Sequence, residues 1–217
     1  MSRDVVATLD SMISERSLLE HPFYQAWTAG TLSLERLQNY GVEYYPHVAA
    51  FPRYLSPIHS RCSDIVTRQA LLENLIEEER GAENHPELWL RLAEAIGVPR
   101  ERVLDSTPST SSTGLVREFA RLAESGHVAS GLAALYAYES QIPPVASAKI
   151  DGLKRFYGVT DERGLAFFTV HETADVWHAR TGAELIARHC TTDHDREPAL
   201  EAGNRALGAL WSLLDAC

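Results

Sequence analysis

The chain has few cysteines, no long apolar segment and no excess of basic residues, and each absence removes a class of protein. It contains three cysteines in 217 residues (Cys62, Cys190 and Cys217), too widely spaced for a disulfide framework or a zinc ribbon. No apolar run approaches the roughly 20 residues that cross a bilayer. The net charge of -10 argues against binding to nucleic acid or to an anionic membrane, since both need a basic surface.

The composition and the first residues predict a single cytoplasmic domain. Hydrophobic residues make up 45% of the chain and charged residues 23%, which is typical of a globular protein. The N-terminus lacks the basic-then-apolar order of a signal peptide, because Asp4 and Asp10 interrupt its short apolar stretches. A chain of 217 residues is long enough for one substantial core, so we expect one domain over residues 1–217.

Alternating strand patterns are also missing, and helical spacing runs through nearly the whole chain. The apolar residues of segment 5–18 recur at helical intervals, and Ser33 and Asp64 are predicted N-caps of later helices. Prolines within 34–57 predict one bent helix or two in line. The only predicted long loop is 106–113, which is rich in Ser, Thr and Pro. The sequence therefore predicts an all-α bundle of about seven or eight helices.

One predicted helix carries three side chains that bind metals. His171, Asp175 and His178 stand at i, i+4 and i+7, so at about 100° per residue they fall within about 60° of one another. Glu78 and His85 lie seven residues apart in an earlier helical segment, so two turns of helix direct them the same way. These positions predict two metal ions held between helices.

Glu139 is the predicted bridging carboxylate of such a site. It stands at the end of the apolar helical segment 131–139, where an unpaired carboxylate would be costly to bury. The alternative is a glutamate at a helix end that faces water just before Pro143. Carboxylate and imidazole ligands suit iron and manganese as well as zinc, so the residue types do not select the metal.

Simpler structural interpretations stay open for the other ligands. Glu78 belongs to the charged run 77–80, which could be a solvated face, and His85 before Pro86 could cap a helix. The later histidines could form a polar face against a partner helix. A zinc-protease motif does not fit, because Asp175 stands where that motif requires histidine. The paired Glu-x-x-His motifs of ferritin-like proteins are absent as well.

A family resemblance adds to this interpretation. The metal-binding positions resemble the six-ligand set of the haem-oxygenase-like di-metal oxidases, whose helical fold is shared by the TenA and PqqC proteins. Other segments resemble the branch typified by the Chlamydia protein associating with death domains. The matching ligands are Glu78, His85, Glu139, His171, Asp175 and His178, and the matching segments are His21-Pro-Phe-Tyr24-x2-Trp27, 144–158 and 206–215.

The resemblance implies an activity and a set of site residues. That branch makes p-aminobenzoate for folate from its own tyrosine, and a lysine is the proposed nitrogen donor. By position, Tyr24 matches the tyrosine and Lys149 the amine, while Tyr40 and Tyr138 match tyrosines implicated in oxidation. The implied cofactors are two metal ions, Fe/Fe or Fe/Mn, with dioxygen as co-substrate and an external reductant. Relatives are often dimers, which predicts a homodimer.

Other functions remain open at this point. The same metals could oxidise an external fatty acid or amino acid, or the protein could carry out a PqqC-like oxidation without metal. TenA-like hydrolysis would need a cysteine in the pocket, and Cys62 is a weak candidate for a thiol nucleophile. A helical module that binds death domains is the alternative from another class, although no surface in the sequence marks it.

Overall fold

Helix fills most of the chain, as the spacing of its apolar residues predicts. The computed structural model describes residues 2–217, except for the side chains of residues 2–4 and 173–176. Within that part the chain forms thirteen α-helices and one 3-10 turn (Leu18–Glu20), without a strand, so the all-α class is confirmed. In residues 2–217, no helix has both the length and the apolar character that crossing a bilayer requires. The helices are α1 (Ser2–Glu15), α2 (Pro22–Ala29), α3 (Leu34–Glu43), α4 (Tyr45–Ala50), α5 (Pro52–Arg61), α6 (Ile65–Glu79), α7 (His85–Ala95), α8 (Arg100–Leu104), α9 (Thr110–Ala123), α10 (Val128–Glu139), α11 (Ile142–Phe156), α12 (Glu162–His189) and α13 (Asp193–Asp215).

Capping side chains begin several of these helices where the sequence predicts. Ser33 accepts a hydrogen bond from the backbone N–H of Arg36 at the start of α3. Asp64 accepts one from the backbone N–H of Thr67 at the start of α6. Both predicted N-caps are confirmed, and each satisfies a backbone donor that the first helical turn leaves unpaired.

The helix count is higher than seven or eight because prolines divide segments that the spacing joins. Pro46 and Pro52 each lie in the first turn of a new helix, so the segment 34–61 forms α3, α4 and α5. The loop after α8 is shorter than the predicted 106–113. Ser109 accepts a hydrogen bond from the backbone N–H of Ser112, and α9 therefore begins at Thr110.

Helix α10 lies at the centre of the fold. Every residue from Ala129 to its last residue, Glu139, is buried, and the helix packs against α13, α12, α9 and α5. Small residues make this close packing possible: a Cβ on Gly131 would lie 2.6 Å from the Ile58 side chain on α5. Glu139 therefore projects from the end of the most enclosed helix.

Helix α6 turns a mixed face toward the interior. The sequence predicts a buried apolar face there, but Leu72 and Ile76 are exposed. The buried stripe, at spacings of four and three residues, contains the polar residues Asn74 and Glu78 along with Leu71. The predicted face is correct at Leu71 and wrong at Leu72 and Ile76, because polar groups next to α10 and α12 find partners inside the bundle.

Candidate di-metal site and its tyrosine cluster

Three predicted ligands from three helices converge in the interior. Glu78 on α6, His85 on α7 and His171 on α12 are all buried, and their ligand atoms lie within 4.8 Å of one another. The Nδ1 of His85 lies 2.7 Å from a carboxylate oxygen of Glu78. Asn84, rather than His85, caps α7 by accepting a hydrogen bond from the backbone N–H of Glu87, so His85 stands in the first turn and faces inward.

A backbone hydrogen bond fixes the orientation of His171. Its Nδ1 donates to the carbonyl oxygen of Phe167, 2.5 Å away, one turn earlier on α12. The lone pair of the ring therefore lies on Nε2. Burial, helped by the nearby His85, lowers the pKa of His171 to about 3, so the ring is neutral. A neutral imidazole anchored in this way is the form that binds a metal ion.

Glu139 lines the same cavity as Glu78, His85 and His171, and His178 lies next to Glu139. Glu139 accepts a hydrogen bond of 2.7 Å from the side-chain amide of Asn74, and its carboxylate lies 3.8 Å from Nδ1 of His178. The other ring nitrogen of His178 lies 3.1 Å from Glu77. The predicted single helix through Glu78 and His85 is wrong, because α6 ends at Glu79 and α7 begins at His85. The choice of Glu78 over Glu77 nevertheless agrees with burial, since Glu78 is buried and the Glu77 side chain is 47% exposed.

The donor set fits metal ions. The side chain of Asp175 lies outside the described residues, but the other five predicted ligands come together as two carboxylates and three imidazoles, all buried. Carboxylates packed this tightly are costly without a compensating positive charge. Imidazole with carboxylate is a ligand set that suits iron or manganese. Glu78, His85 and His171 form the tightest group, Glu139 lines the same cavity, and His178 adjoins Glu139.

A small cavity opens between four of these ligands, Glu78, His85, Glu139 and His171. It holds about 10 Å³, and its walls also include His47 and Tyr138 together with the apolar side chains of Val48, Phe51 and Phe167. A cavity of this size admits roughly one water-sized molecule. The described lining contains no cysteine, and burial raises the pKa of two of the three thiols, to about 11 and about 12. Thiol chemistry therefore has no support at this site.

A second cluster gathers Lys149 among aromatic rings. The side chain of Lys149 is buried on α11, and its Nζ donates a 2.7 Å hydrogen bond to the hydroxyl of Tyr40. The Tyr40 and Tyr24 hydroxyls are 3.2 Å apart. The Nζ also lies 5.2 Å from the ring centroid of Tyr24, 5.4 Å from that of Tyr44 and 4.8 Å from that of Phe168.

Close packing of α2 against α11 produces this arrangement. The Trp27 indole on α2 lies against Gly152 on α11, in the space that a Cβ would occupy, and its N–H donates to the carbonyl oxygen of Lys149. Any larger residue at Gly152 would push the two helices apart. Tyr24, one turn before Trp27, is thereby held beside the Lys149 side chain.

Burial changes the proton affinity of these groups. It lowers the pKa of Lys149 to about 7, because an ammonium ion is poorly solvated inside the bundle. It raises the pKa of Tyr24 and Tyr40 well above the usual value for a phenol. Near neutral pH the lysine is therefore partly an uncharged amine, while both tyrosines keep their protons.

Tyr44 connects the two clusters, and the sequence analysis did not identify it. Its hydroxyl donates to the hydroxyl of Tyr138, 3.0 Å away on the cavity wall, and its ring centroid lies 5.1 Å from that of Tyr40. Sequence spacing places Tyr44 only in the apolar stripe of its helix. The available signal is the i, i+4 spacing of Tyr40 and Tyr44, followed by His47 on the same side of the chain.

The comparisons with known proteins agree with this geometry. Residues 38–211 match the model of a family described as iron-containing redox enzymes. A protein of Chlamydia muridarum named 4-aminobenzoate synthase is 43% identical over 99% of this chain and 90% of its own length. Another 4-aminobenzoate synthase, from Nitrosomonas europaea, is 40% identical over 95% of this chain and 88% of its own length. The crystal structure of a TenA homologue from Pseudomonas syringae superposes with a TM-score of 0.82 at 18% identity, covering 98% of this chain and 90% of that one, which supports the haem-oxygenase-like fold.

Proposed function

Because this chain belongs to the family of iron-containing redox enzymes, we propose that it is an oxygen-dependent di-metal oxidase that makes 4-aminobenzoate from its own tyrosine. Tyr24 would supply the aromatic ring and Lys149 the nitrogen. The product agrees with the name carried by relatives at 40–44% identity over nearly the whole chain.

Four buried ligands on the cavity wall, with His178 and Asp175, would hold the two metal ions. When bound, two reduced ions, both iron or iron with manganese, would supply the oxidising power by activating dioxygen. The protein contributes the neutral imidazole of His171, fixed by Phe167, and the carboxylate of Glu139, fixed by Asn74.

The position of the Lys149 amine supports this proposal most directly. The Nζ lies 5.2 Å from the centre of the Tyr24 ring, in an enclosed setting where its pKa falls to about 7. A protonated amine has no lone pair with which to form a bond to carbon, whereas a neutral one does. The same helix packing therefore supplies both the proximity and the uncharged form that nitrogen transfer requires.

Hydrogen-bonded tyrosines would connect the cavity to Tyr24. Tyr138 lies on the cavity wall, and its hydroxyl accepts a hydrogen bond from the Tyr44 hydroxyl. A hydrogen atom removed from Tyr138 can therefore be replaced from Tyr44. The Tyr44 ring contacts Tyr40, whose hydroxyl lies 3.2 Å from that of Tyr24. Oxidation at the cavity would thus reach the sacrificed ring through neighbouring phenols, each of which holds its own proton until it reacts.

The size of the cavity favours an internal substrate over an external one. A space of about 10 Å³ accommodates a diatomic gas or one water, not a fatty acid or an amino acid. A second cavity, of about 30 Å³, adjoins Glu139 and His178, and its lining from α6, α10 and α12 includes four leucines. A small apolar passage of this kind suits the entry of dioxygen.

Intact-protein mass spectrometry after a single exposure to oxygen tests the proposal. The protein is loaded with Fe(II), or with Fe(II) and Mn(II), without oxygen and is then exposed to air. Its intact mass is measured first, and a digest then locates any change in mass. We expect 4-aminobenzoate in solution and a mass loss that maps to Tyr24. The His171→Ala variant, which removes one ligand, should show neither change. Product formation with an intact Tyr24 would contradict the self-sacrifice.

Product formation should also depend on pH near neutrality. The charged or titratable groups facing Lys149 are Tyr24, Tyr40 and Tyr44, with His171 farther away. Raising the pH removes the ammonium proton, so a pKa of about 7 predicts roughly 10% neutral amine at pH 6 and roughly 90% at pH 8. The rate of a single turnover, followed by chromatography of the product, should rise several-fold across that range. A flat profile at constant metal content would contradict the role of the amine.

A further inference from the structure

His47 is a buried histidine on the cavity wall to which neither the sequence nor the comparisons give a role. It lies on α4 with an exposed fraction of 1%, and its ring packs edge-on against Phe119 and Tyr138 at centroid distances of 4.9 and 5.1 Å. Its Nε2 has no hydrogen-bond partner among the described residues. Since an unpaired polar atom in a protein interior costs free energy, a ligand in the adjoining cavity is its natural partner.

The other ring nitrogen indicates where the proton of His47 resides. The Tyr54 hydroxyl lies 3.4 Å from Nδ1. Burial raises the pKa of Tyr54, so this phenol keeps its proton and can donate it to Nδ1. A neutral imidazole that accepts at Nδ1 carries its own hydrogen at Nε2. In this tautomer His47 presents an N–H donor on the side of the ring away from Tyr54.

We propose that His47 binds dioxygen in the cavity by donating a hydrogen bond from Nε2, an assignment that rests on the proposed function. The same wall presents the apolar side chains of Val48, Phe51 and Phe167 beside Tyr138 and four of the predicted metal ligands, so a small ligand with a partially negative outer atom that enters between those ligands can accept a hydrogen bond from His47. A donor aimed at the atom that gains negative charge stabilises that charge without reorganisation. His47 would thus bind and orient the gas against the metal ligands.

Azide binding to the cobalt(II)-loaded protein tests this role without turnover. Azide, a small anion with a negative outer atom, serves as the probe, and cobalt absorption reports its affinity. We expect His47→Phe to weaken azide binding about tenfold, and His47→Gln, whose amide N–H can replace Nε2–H, to stay within about threefold of the wild type. His59→Phe, on the neighbouring helix α5 and absent from the cavity lining, is the matched control and should bind azide as the wild type does.

The possible outcomes separate this inference from the proposed function. If His47→Phe fails to fold, His47→Asn provides the same test, because its amide replaces Nδ1 and leaves no donor at Nε2. Azide affinity within twofold of the wild type in either variant, at unchanged cobalt content, overturns the inference alone. Loss of cobalt from these variants also overturns it, since His47 would then act as a metal ligand. A wild-type protein that takes up no metal overturns the proposed function and this inference together.

Discussion

The Lys149→Met variant should make no detectable 4-aminobenzoate and should nevertheless be more stable than the wild type. Methionine fills a similar volume in the cage of rings but offers no nitrogen, so we expect product to fall at least a hundredfold while metal content is unchanged. A pKa that falls from 10.5 to about 7 corresponds to roughly 5 kcal/mol of destabilisation by the buried amine at neutral pH. The lost hydrogen bond to Tyr40 destabilises the variant by about 1–3 kcal/mol, which leaves a net gain of about 2–4 kcal/mol in the free energy of unfolding.

The pH dependence of unfolding distinguishes this explanation from ordinary repacking. Because the pKa of Lys149 is lower in the folded protein, the unfolded chain binds the extra proton between about pH 7 and 10.5. The destabilisation is complete below pH 7 and disappears as the pH rises to 10.5. The advantage of the methionine variant, measured by urea unfolding, should therefore be largest at or below pH 7 and shrink toward pH 10.

Lys154→Met provides the matched control on the same helix. Lys154 is exposed near the end of α11, so its replacement should leave both product formation and the pH dependence of stability unchanged. If Lys149→Met still forms 4-aminobenzoate, or if ¹⁵N-lysine in the wild-type protein leaves the product unlabelled, another group donates the nitrogen.

The Tyr24→Phe variant should bind metal and fold, yet release no 4-aminobenzoate. Phenylalanine keeps the ring in the same packing but lacks the hydroxyl group. Removal of the hydrogen atom of that hydroxyl would begin the oxidation of the ring. The cost in stability should be small, about 1 kcal/mol for the lost hydrogen bond with Tyr40. After anaerobic metal loading and exposure to oxygen, the mass of the peptide that contains residue 24 should remain unchanged.

Tyr157→Phe is the matched control for Tyr24→Phe. It shows whether loss of product is specific to Tyr24 or follows the loss of any hydrogen-bonded tyrosine hydroxyl. The Tyr157 hydroxyl donates to the carbonyl oxygen of Leu32, and its ring also contacts Trp27, but it lies outside the Lys149 cage. This variant should lose a similar amount of stability and keep product formation. Continued synthesis by Tyr24→Phe, at a level like that of Tyr157→Phe, would remove Tyr24 as the source of the ring.

Local patterns in the sequence were sufficient for the all-α class and for two helix caps. Ser33 and Asp64 cap helices through bonds to residues three positions away, and such contacts are written in the local sequence. The seven-residue spacing of Glu78 and His85 did not act through one helix as predicted, because α6 ends at Glu79 and His85 begins α7, so packing between two helices brings these side chains together. The roles of Tyr24 and Lys149 came only from the family resemblance, and they stay predictions until the variants are measured.

Contacts between distant helices could not be predicted in this way. Asn74 donates to Glu139 from 65 positions away, and Tyr44 donates to Tyr138 across 94 positions. Neither residue forms part of a local motif, and hydrophobic spacing assigns Tyr44 to the apolar core. The predicted buried face of α6 was partly wrong for the same reason, because its polar positions are satisfied only by partners that tertiary packing brings near.

The burial of Tyr24, which is only 2% exposed, has a consequence for the lifetime of the protein. Removing an aromatic side chain from a packed interior costs about 3–5 kcal/mol, a large share of the 5–15 kcal/mol that holds a typical domain folded. A molecule whose Tyr24 ring has been removed would contain a void beneath α2, and its free energy of unfolding would be lower by that amount. Each protein molecule that makes 4-aminobenzoate would therefore unfold more often and be degraded more readily by proteases. Because one protein molecule would yield one product molecule, the rate of translation would limit the supply of 4-aminobenzoate.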